Sequence, residues 1–136
     1  MSLQRVLFVC VGNACRSQMA EAFARAYGKD VLTPSSAGLA PAMLIPMETC
    51  KTMAEKNIDL LAHFPKPLTV FAPGQFDIVI NLSGTPLRDF PNACEWKVRD
   101  PIGGPLKQHR AVRDQIEQLV MKLILDLRRK TQPRKP

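Results

Sequence analysis

Cys10 and Arg16 bracket a five-residue segment whose composition could bind and attack an anion. Gly12 and Asn13 within it allow a tight turn, because both tolerate backbone conformations that other residues avoid. Backbone N–H groups of such a turn, placed at the amino end of a helix, form a concave anion site. An arginine can hold two oxygens of a tetrahedral anion, and positive surroundings favour the nucleophilic thiolate of a cysteine. The spacing therefore predicts that Cys10 attacks a bound, phosphate-like oxyanion.

The remaining candidate residues allow more than one interpretation. Cys15 could pack inertly or form a disulfide with Cys10 under oxidation. Ser17 could cap a helix, and Asp100, which precedes Pro101, could be only a turn former. The loop predicted to bind the oxyanion comprises Val11, Gly12, Asn13, Ala14, Cys15 and Arg16.

The elements that must position these residues are those of an α/β domain. RVLFVC, at residues 5–10, is a continuous apolar run typical of a buried parallel strand, and residues 17–28 carry a helical apolar stripe. Further strands are predicted at residues 31–37, 76–82 and 94–98, with helices after Pro46 and over residues 112–127. This alternation predicts a three-layer fold with a four-stranded, mostly parallel, flavodoxin-like sheet. Ligands of such sheets bind at the carboxyl ends of the strands, where Cys10 and Asp100 would both lie.

Composition limits the class of protein further. The 136 residues suit one domain, predicted at residues 1–128, followed by a flexible basic tail at 129–136. The net charge is +7, but aromatic residues make up only 6% and do not alternate with the basic ones, so no nucleic-acid partner is expected. No signal peptide or membrane span is evident, which predicts a cytoplasmic protein with no membrane partner. The oligomeric state is left open, with a monomer favoured. The cysteine spacing lacks a CxxC pair, and no metal or cofactor is predicted.

The stretch VLFVCVGNACRSQMAEA, at residues 6–22, resembles the C-x-G-N-x-C-R-S signature of the low-molecular-weight protein tyrosine phosphatase superfamily. Its RSQMAEA portion is similar to the arsenate reductase branch, as are EWKVRDP at residues 95–101 and HRAVRDQI at residues 109–116. SAG at residues 36–38, His63, DIVINL at residues 77–82 and the Asp100–Pro101 pair also have counterparts in the superfamily. The resemblance therefore extends over nearly the whole chain and implies a phosphatase-I type fold.

The resemblance implies a role for each residue that matches the signature. Cys10 would be the nucleophile, Arg16 would hold the oxyanion, and Ser17 would donate a hydrogen bond to the thiolate. Asn13 would hold the loop in its strained shape. Asp100 would protonate the leaving oxygen and then activate water against a phosphocysteine. The substrate would be a phosphoprotein, a small phosphate ester or arsenate.

Arsenate reduction requires further thiols, which must take the bond from Cys10. The thioredoxin-coupled reductases that the chain resembles have a cysteine directly after the strand matching residues 77–82 and another soon after it. Ser83 holds the first place here, and no cysteine follows before Cys94. We therefore expect a phosphatase acting on phosphotyrosine or small phosphate monoesters, although the residues after Asp100 lack the family's aromatic side chains. The alternatives are arsenate reduction with an external low-molecular-weight thiol, and a non-catalytic oxyanion-binding protein.

Overall fold

Four strands form one sheet in the order β2-β1-β3-β4, and every pairing is parallel. The computed structural model describes residues 3–131. The strands are β1 (Gln4–Cys10), β2 (Leu32–Gly38), β3 (Ile78–Asn81) and β4 (Cys94–Glu95), and the helices are α1 (Arg16–Tyr27), α2 (Met47–Ala54) and α3 (Leu106–Thr131). The predicted α/β class and flavodoxin-like strand order are confirmed.

Strand β1 lies in the middle of the sheet and contributes to the core on both of its faces. Val6 and Phe8 pack against the three helices, whereas Leu7 and Val9 face the other side, and all four side chains are fully buried. This alternation follows from the two-residue period of a strand. The second face is covered by irregular chain that includes two 3-10 turns, Leu68–Val70 and Pro73–Gln75. The third layer is therefore irregular rather than helical.

Strands β3 and β4 are shorter than the sequence predicts. Strand β3 ends at Asn81, whose side chain accepts a hydrogen bond from the Ser83 amide and turns the chain away from the sheet. Strand β4 lies at the edge of the sheet and has only two residues. The Trp96 amide donates to the Asn81 carbonyl, and β3 offers β4 no further backbone partner after that hydrogen bond. Both strands end near Cys10, at the edge of the sheet where the predicted site lies.

Helix α3 carries the longest buried stripe, which includes Val112, Ile116, Val120, Ile124 and Leu127. The helix continues to Thr131, so residues 129–131 of the predicted tail are helical. The rest of that tail, residues 132–136, lies outside the described residues. Within residues 3–131, no helix is long and apolar enough to cross a membrane.

Candidate active site

The segment between β1 and α1 is held in a tight loop by backbone hydrogen bonds that use its carbonyl groups. The amides of Leu39, Ala40 and Ala42 donate to the carbonyls of residues 10, 11 and 12 at 3.1, 2.8 and 2.9 Å. Asn13 takes the left-handed conformation, with φ of 48°. Within the described chain, no amide of residues 11–15 donates a hydrogen bond to a protein acceptor. Because unpaired backbone amides are costly to bury, this arrangement suits an anion.

Cys10 ends strand β1 and is nearly buried, with 3% of its surface exposed. Its Sγ atom lies 2.9 Å from Ser17 Oγ, and Asn13 Nδ2 donates to the same hydroxyl oxygen at 2.7 Å. Since Ser17 accepts the amide hydrogen, its own hydrogen is free to point at the sulfur. The expectation that Ser17 caps the helix is wrong: α1 begins at Arg16 with Cys15 in the cap position, and Ser17 faces the loop.

Asn13 is tied to the segment before the first 3-10 turn. Its Oδ1 accepts hydrogen bonds from the Lys66 amide at 3.0 Å and from Gln18 Nε2 at 3.1 Å. Gln18 Nε2 also approaches the carbonyls of Asn13 and Phe64, both at 3.0 Å, and Gln18 Oε1 lies 2.9 Å from His63 Nδ1. This buried network holds the loop in place through residues that do not line the anion pocket. Sequence reasoning missed Gln18, although its place in the first helical turn after the loop was the available signal.

The two histidines, His63 and His109, are both drawn into the structure, although their polar side chains alone would suggest surface positions. His109 is buried, with 1% exposed, and its Nδ1 contacts the Pro105 carbonyl at 3.0 Å. His63 is about half-buried, and this burial lowers its pKa below the usual value. Its neutral form can donate through Nδ1 to Gln18 Oε1, so the histidine supports the loop without reaching the anion pocket.

Arg16 is buried and bridges the ends of two strands to the acidic candidate. Its Nη1 donates to the Leu82 carbonyl at 2.6 Å and to the Val98 carbonyl at 3.1 Å. Its Nη2 lies 3.5 Å from Asp100 Oδ2. Two fixed carbonyl contacts orient the planar guanidinium, so its remaining N–H groups can face a bound oxyanion.

Asp100 lies at the same edge of the sheet as Cys10, as the parallel topology predicts. Its carboxylate is 48% exposed, and Oδ1 accepts a hydrogen bond from the Ile102 amide at 3.1 Å. The residue therefore shapes the turn while its other oxygen faces Arg16. These contacts leave a solvated carboxylate beside the anion pocket, where it can exchange a proton with a leaving oxygen.

The anion pocket is small and contains both loop thiols. The residues that line it are Cys10, Gly12, Ala14, Cys15, Arg16, Asp100 and Ile102. Burial raises the pKa of the Cys15 thiol to about 12, so Cys15 remains protonated near neutral pH. A disulfide between Cys10 and Cys15 stays a prediction, and it requires deprotonation of this buried thiol.

The place of the first resolving cysteine is occupied by a hydroxyl held in a local turn. Ser83 Oγ donates to Asn81 Oδ1 at 2.6 Å and accepts from the Thr85 amide at 3.0 Å. Cys94 is exposed at the start of β4, paired in register with Ile80. Its position is therefore set back from the strand ends that surround Cys10.

Comparison with known proteins agrees with this geometry. A family model described as low molecular weight phosphotyrosine protein phosphatase matches residues 5–133. A glutaredoxin arsenate reductase from Synechocystis is 34% identical over 128 residues, which cover 90% of this chain and 97% of that protein. An arsenate reductase from Bacillus cereus is 31% identical over 121 residues, with 85% and 90% covered.

Solved structures give the same result. An arsenate reductase in the phosphate binding state superposes with a TM-score of 0.84 at 31% identity, covering 92% of this chain and 99% of that one. The arginine phosphatase YwlE from Geobacillus stearothermophilus superposes with a TM-score of 0.80 at 25% identity, covering 97% and 99%. The chain therefore belongs to the low-molecular-weight protein tyrosine phosphatase superfamily of cysteine-dependent enzymes, on its arsenate reductase branch.

Proposed function

We propose that this protein is an arsenate reductase that draws its electrons from an external thiol. The observation that carries the proposal is the anion pocket itself, whose lining includes no aromatic residue among those described. Ile102 stands beside Asp100, where a phosphotyrosine ring would need an aromatic surface. A pocket of this kind suits a bare tetrahedral anion better than an aryl ester. The names of the similar proteins support the same choice over the phosphatase favoured by sequence reasoning alone.

In the first step, the Cys10 thiolate attacks the arsenic of arsenate and a hydroxide leaves as water. The free amides of the loop and the Arg16 guanidinium stabilise the negative oxygens during this exchange. Asp100 supplies the proton to the departing oxygen. One dihydrogen arsenate ion and one Cys10 thiol thus give one water and an arsenate joined through sulfur to Cys10, which keeps the single negative charge.

In the second step, an external thiol attacks the Cys10 sulfur of the adduct. The sulfur–arsenic bond breaks and its electron pair stays on arsenic, so that dihydrogen arsenite leaves while a mixed disulfide forms between Cys10 and the thiol. A second molecule of thiol then releases the small disulfide and restores Cys10. In sum, one dihydrogen arsenate ion and two thiols give one dihydrogen arsenite ion, one disulfide and one water. We infer an external thiol because a hydroxyl stands at Ser83, Cys94 is set back from the strand ends, and burial raises the pKa of the Cys15 thiol to about 12.

A phosphatase is the second candidate, and the position of Asp100 supports it. The carboxylate lies 3.5 Å from the Arg16 guanidinium and is half-exposed, so it could protonate the leaving oxygen of a phosphate ester. The same loop and nucleophile would then form a phosphocysteine that water hydrolyses. The similarity to an arginine phosphatase is consistent with this second activity.

The two activities separate in one assay series. Purified protein is given arsenate with glutathione, 2-mercaptoethanol or a thioredoxin system, and arsenite is quantified; a parallel series measures release from an aryl phosphate. We expect arsenite with a small thiol, loss of that activity in Cys10→Ser, and retention in Cys94→Ser, whose thiol is exposed and set back from the pocket. Aryl phosphate hydrolysis without arsenite formation would instead establish the phosphatase.

A further inference from the structure

A second cleft lies directly beside the anion pocket, at the carboxyl ends of β3 and β4. Its volume is about 410 Å³, which is within the usual range for small-molecule sites. Arg16 is common to the two cavities, because its guanidinium reaches between the Leu82 and Val98 carbonyls. The residues that line the cleft are Arg16, Leu82, Gly84, Glu95, Trp96, Lys97, Val98 and Arg99. A molecule in this cleft therefore borders on the residue that holds the oxyanion.

Charged side chains surround the mouth of the cleft. Lys97 and Arg99 are exposed, and neither side chain forms an ion pair with any residue in the described range. Glu95, also exposed, adds one negative charge, and the partly buried Trp96 provides an apolar wall that packs on Phe8. Two cations and one anion complement a small molecule with two carboxylates and one ammonium.

The cleft also borders the place where an internal resolving thiol is missing. Hydrogen bonds to Asn81 and Thr85 hold the Ser83 side chain in the local turn, so this segment does not bring a side chain to Cys10. The next residue, Gly84, has φ of +78° and nothing within 4 Å of where a side chain would begin. The space beside the turn is thus open to a molecule from solution.

We propose that this cleft binds a low-molecular-weight thiol with carboxylate groups, which attacks the arsenic adduct on Cys10. Lys97 and Arg99 hold the carboxylates, Glu95 faces the ammonium, and the thiol extends past Arg16 towards the Cys10 sulfur. The thiol bound in the cleft attacks the Cys10 sulfur, and the sulfur–arsenic bond breaks with its electron pair staying on arsenic. Dihydrogen arsenite leaves as the mixed disulfide forms. The inference rests on the proposed function and assigns its reductant a site.

The test uses Lys97→Glu/Arg99→Glu and compares glutathione, which has the expected charges, with uncharged 2-mercaptoethanol. The measured quantity is the ratio of kcat/KM for glutathione to kcat/KM for 2-mercaptoethanol in arsenite formation. Reversing two charges should lower this ratio about tenfold or more, because only the charged thiol loses its partners. Lys29→Glu/Lys122→Glu is the matched control: it reverses two exposed charges on residues that line neither cavity and should leave the ratio unchanged.

A second readout does not depend on arsenate. Oxidised glutathione or hydroxyethyl disulfide is added to the protein, and the mixed disulfide on Cys10 is followed by mass spectrometry; one thiolate leaves for each disulfide formed. The variant should lose its preference for the glutathione disulfide. If that loss is seen while no thiol yields arsenite, the proposed function fails and the site stands. The cleft is not the thiol site if the kcat/KM ratio and the preference for the glutathione disulfide both stay unchanged. It is also not the thiol site if only a protein dithiol supports turnover.

Discussion

Replacing Asn13 by Asp tests whether the loop aims a hydrogen bond at the nucleophile. Asn13 Nδ2 donates to Ser17 Oγ, which leaves the Ser17 hydrogen for the Cys10 sulfur at 2.9 Å. A carboxylate at this position keeps the acceptor for the Lys66 amide and Gln18 Nε2 but removes the donor. The Ser17 hydrogen then turns to the new carboxylate, and the thiolate loses its partner.

The size of the effect follows from the bond that is lost. A hydrogen bond to a charged group contributes about 1.5–3 kcal/mol. At about 1.4 kcal/mol for each factor of ten, Cys10 should react roughly 10- to 100-fold more slowly. Ser17→Ala removes the same bond and should slow Cys10 by a similar factor. The double variant should be no slower than either single one, because both changes remove one interaction.

The assay is alkylation of Cys10 by iodoacetamide at pH 7, followed on the Cys10 peptide by mass spectrometry. Chemical unfolding of each variant is measured in parallel, since the buried carboxylate of Asn13→Asp should also lower the free energy of unfolding by about 1–3 kcal/mol. A rate within twofold of the parent for Asn13→Asp, or multiplied losses in the double variant, would refute the proposed direction of the bond.

Three further changes test other parts of the site. Gly38→Ala places a Cβ 2.8 Å from backbone atoms of the anion loop, so phosphate affinity measured by calorimetry should fall at least about tenfold, whereas Gly74→Ala, with nothing within 4 Å, should bind normally. Arg16→Lys loses the fork that joins two carbonyls and the oxyanion; unfolding free energy should drop by about 1–3 kcal/mol with weakened phosphate binding, and unchanged binding would contradict the clamp. Burial lowers the pKa of His63, so its neutral form favours the folded state: stability should be full above about pH 6.5 and decline as the pH falls below it. His63→Gln should flatten that decline in denaturant titrations at pH 5 and 7; an identical slope would remove His63 from the acid response.

Much of the nucleophilic loop could be predicted because its chemistry is local in sequence. Cys10, Asn13, Arg16 and Ser17 lie within eight residues of one another, between a strand and a helix that periodicity identifies. The parallel topology alone predicts Asp100 at the same edge, and the 3.5 Å contact with Arg16 agrees with that placement.

The support behind the loop could not be predicted, because it depends on contacts between distant segments. Gln18 reaches the carbonyl of Phe64 and the ring of His63, which lie 46 and 45 residues further along the chain. No periodicity marks such contacts, and the polar character of His63 instead suggests a surface position. The short β4 has a similar cause: its length is set by where β3 ends, not by the apolar pattern of its own residues.

The most direct test of the central claim is a single turnover with arsenate and one equivalent of glutathione. Arsenite is quantified and the mass of the intact protein is measured at the same time points. We predict one glutathione on Cys10 for each arsenite released, with both products absent in Cys10→Ser. Arsenite release accompanied by an internal disulfide, or by no change on Cys10, would contradict the proposed route.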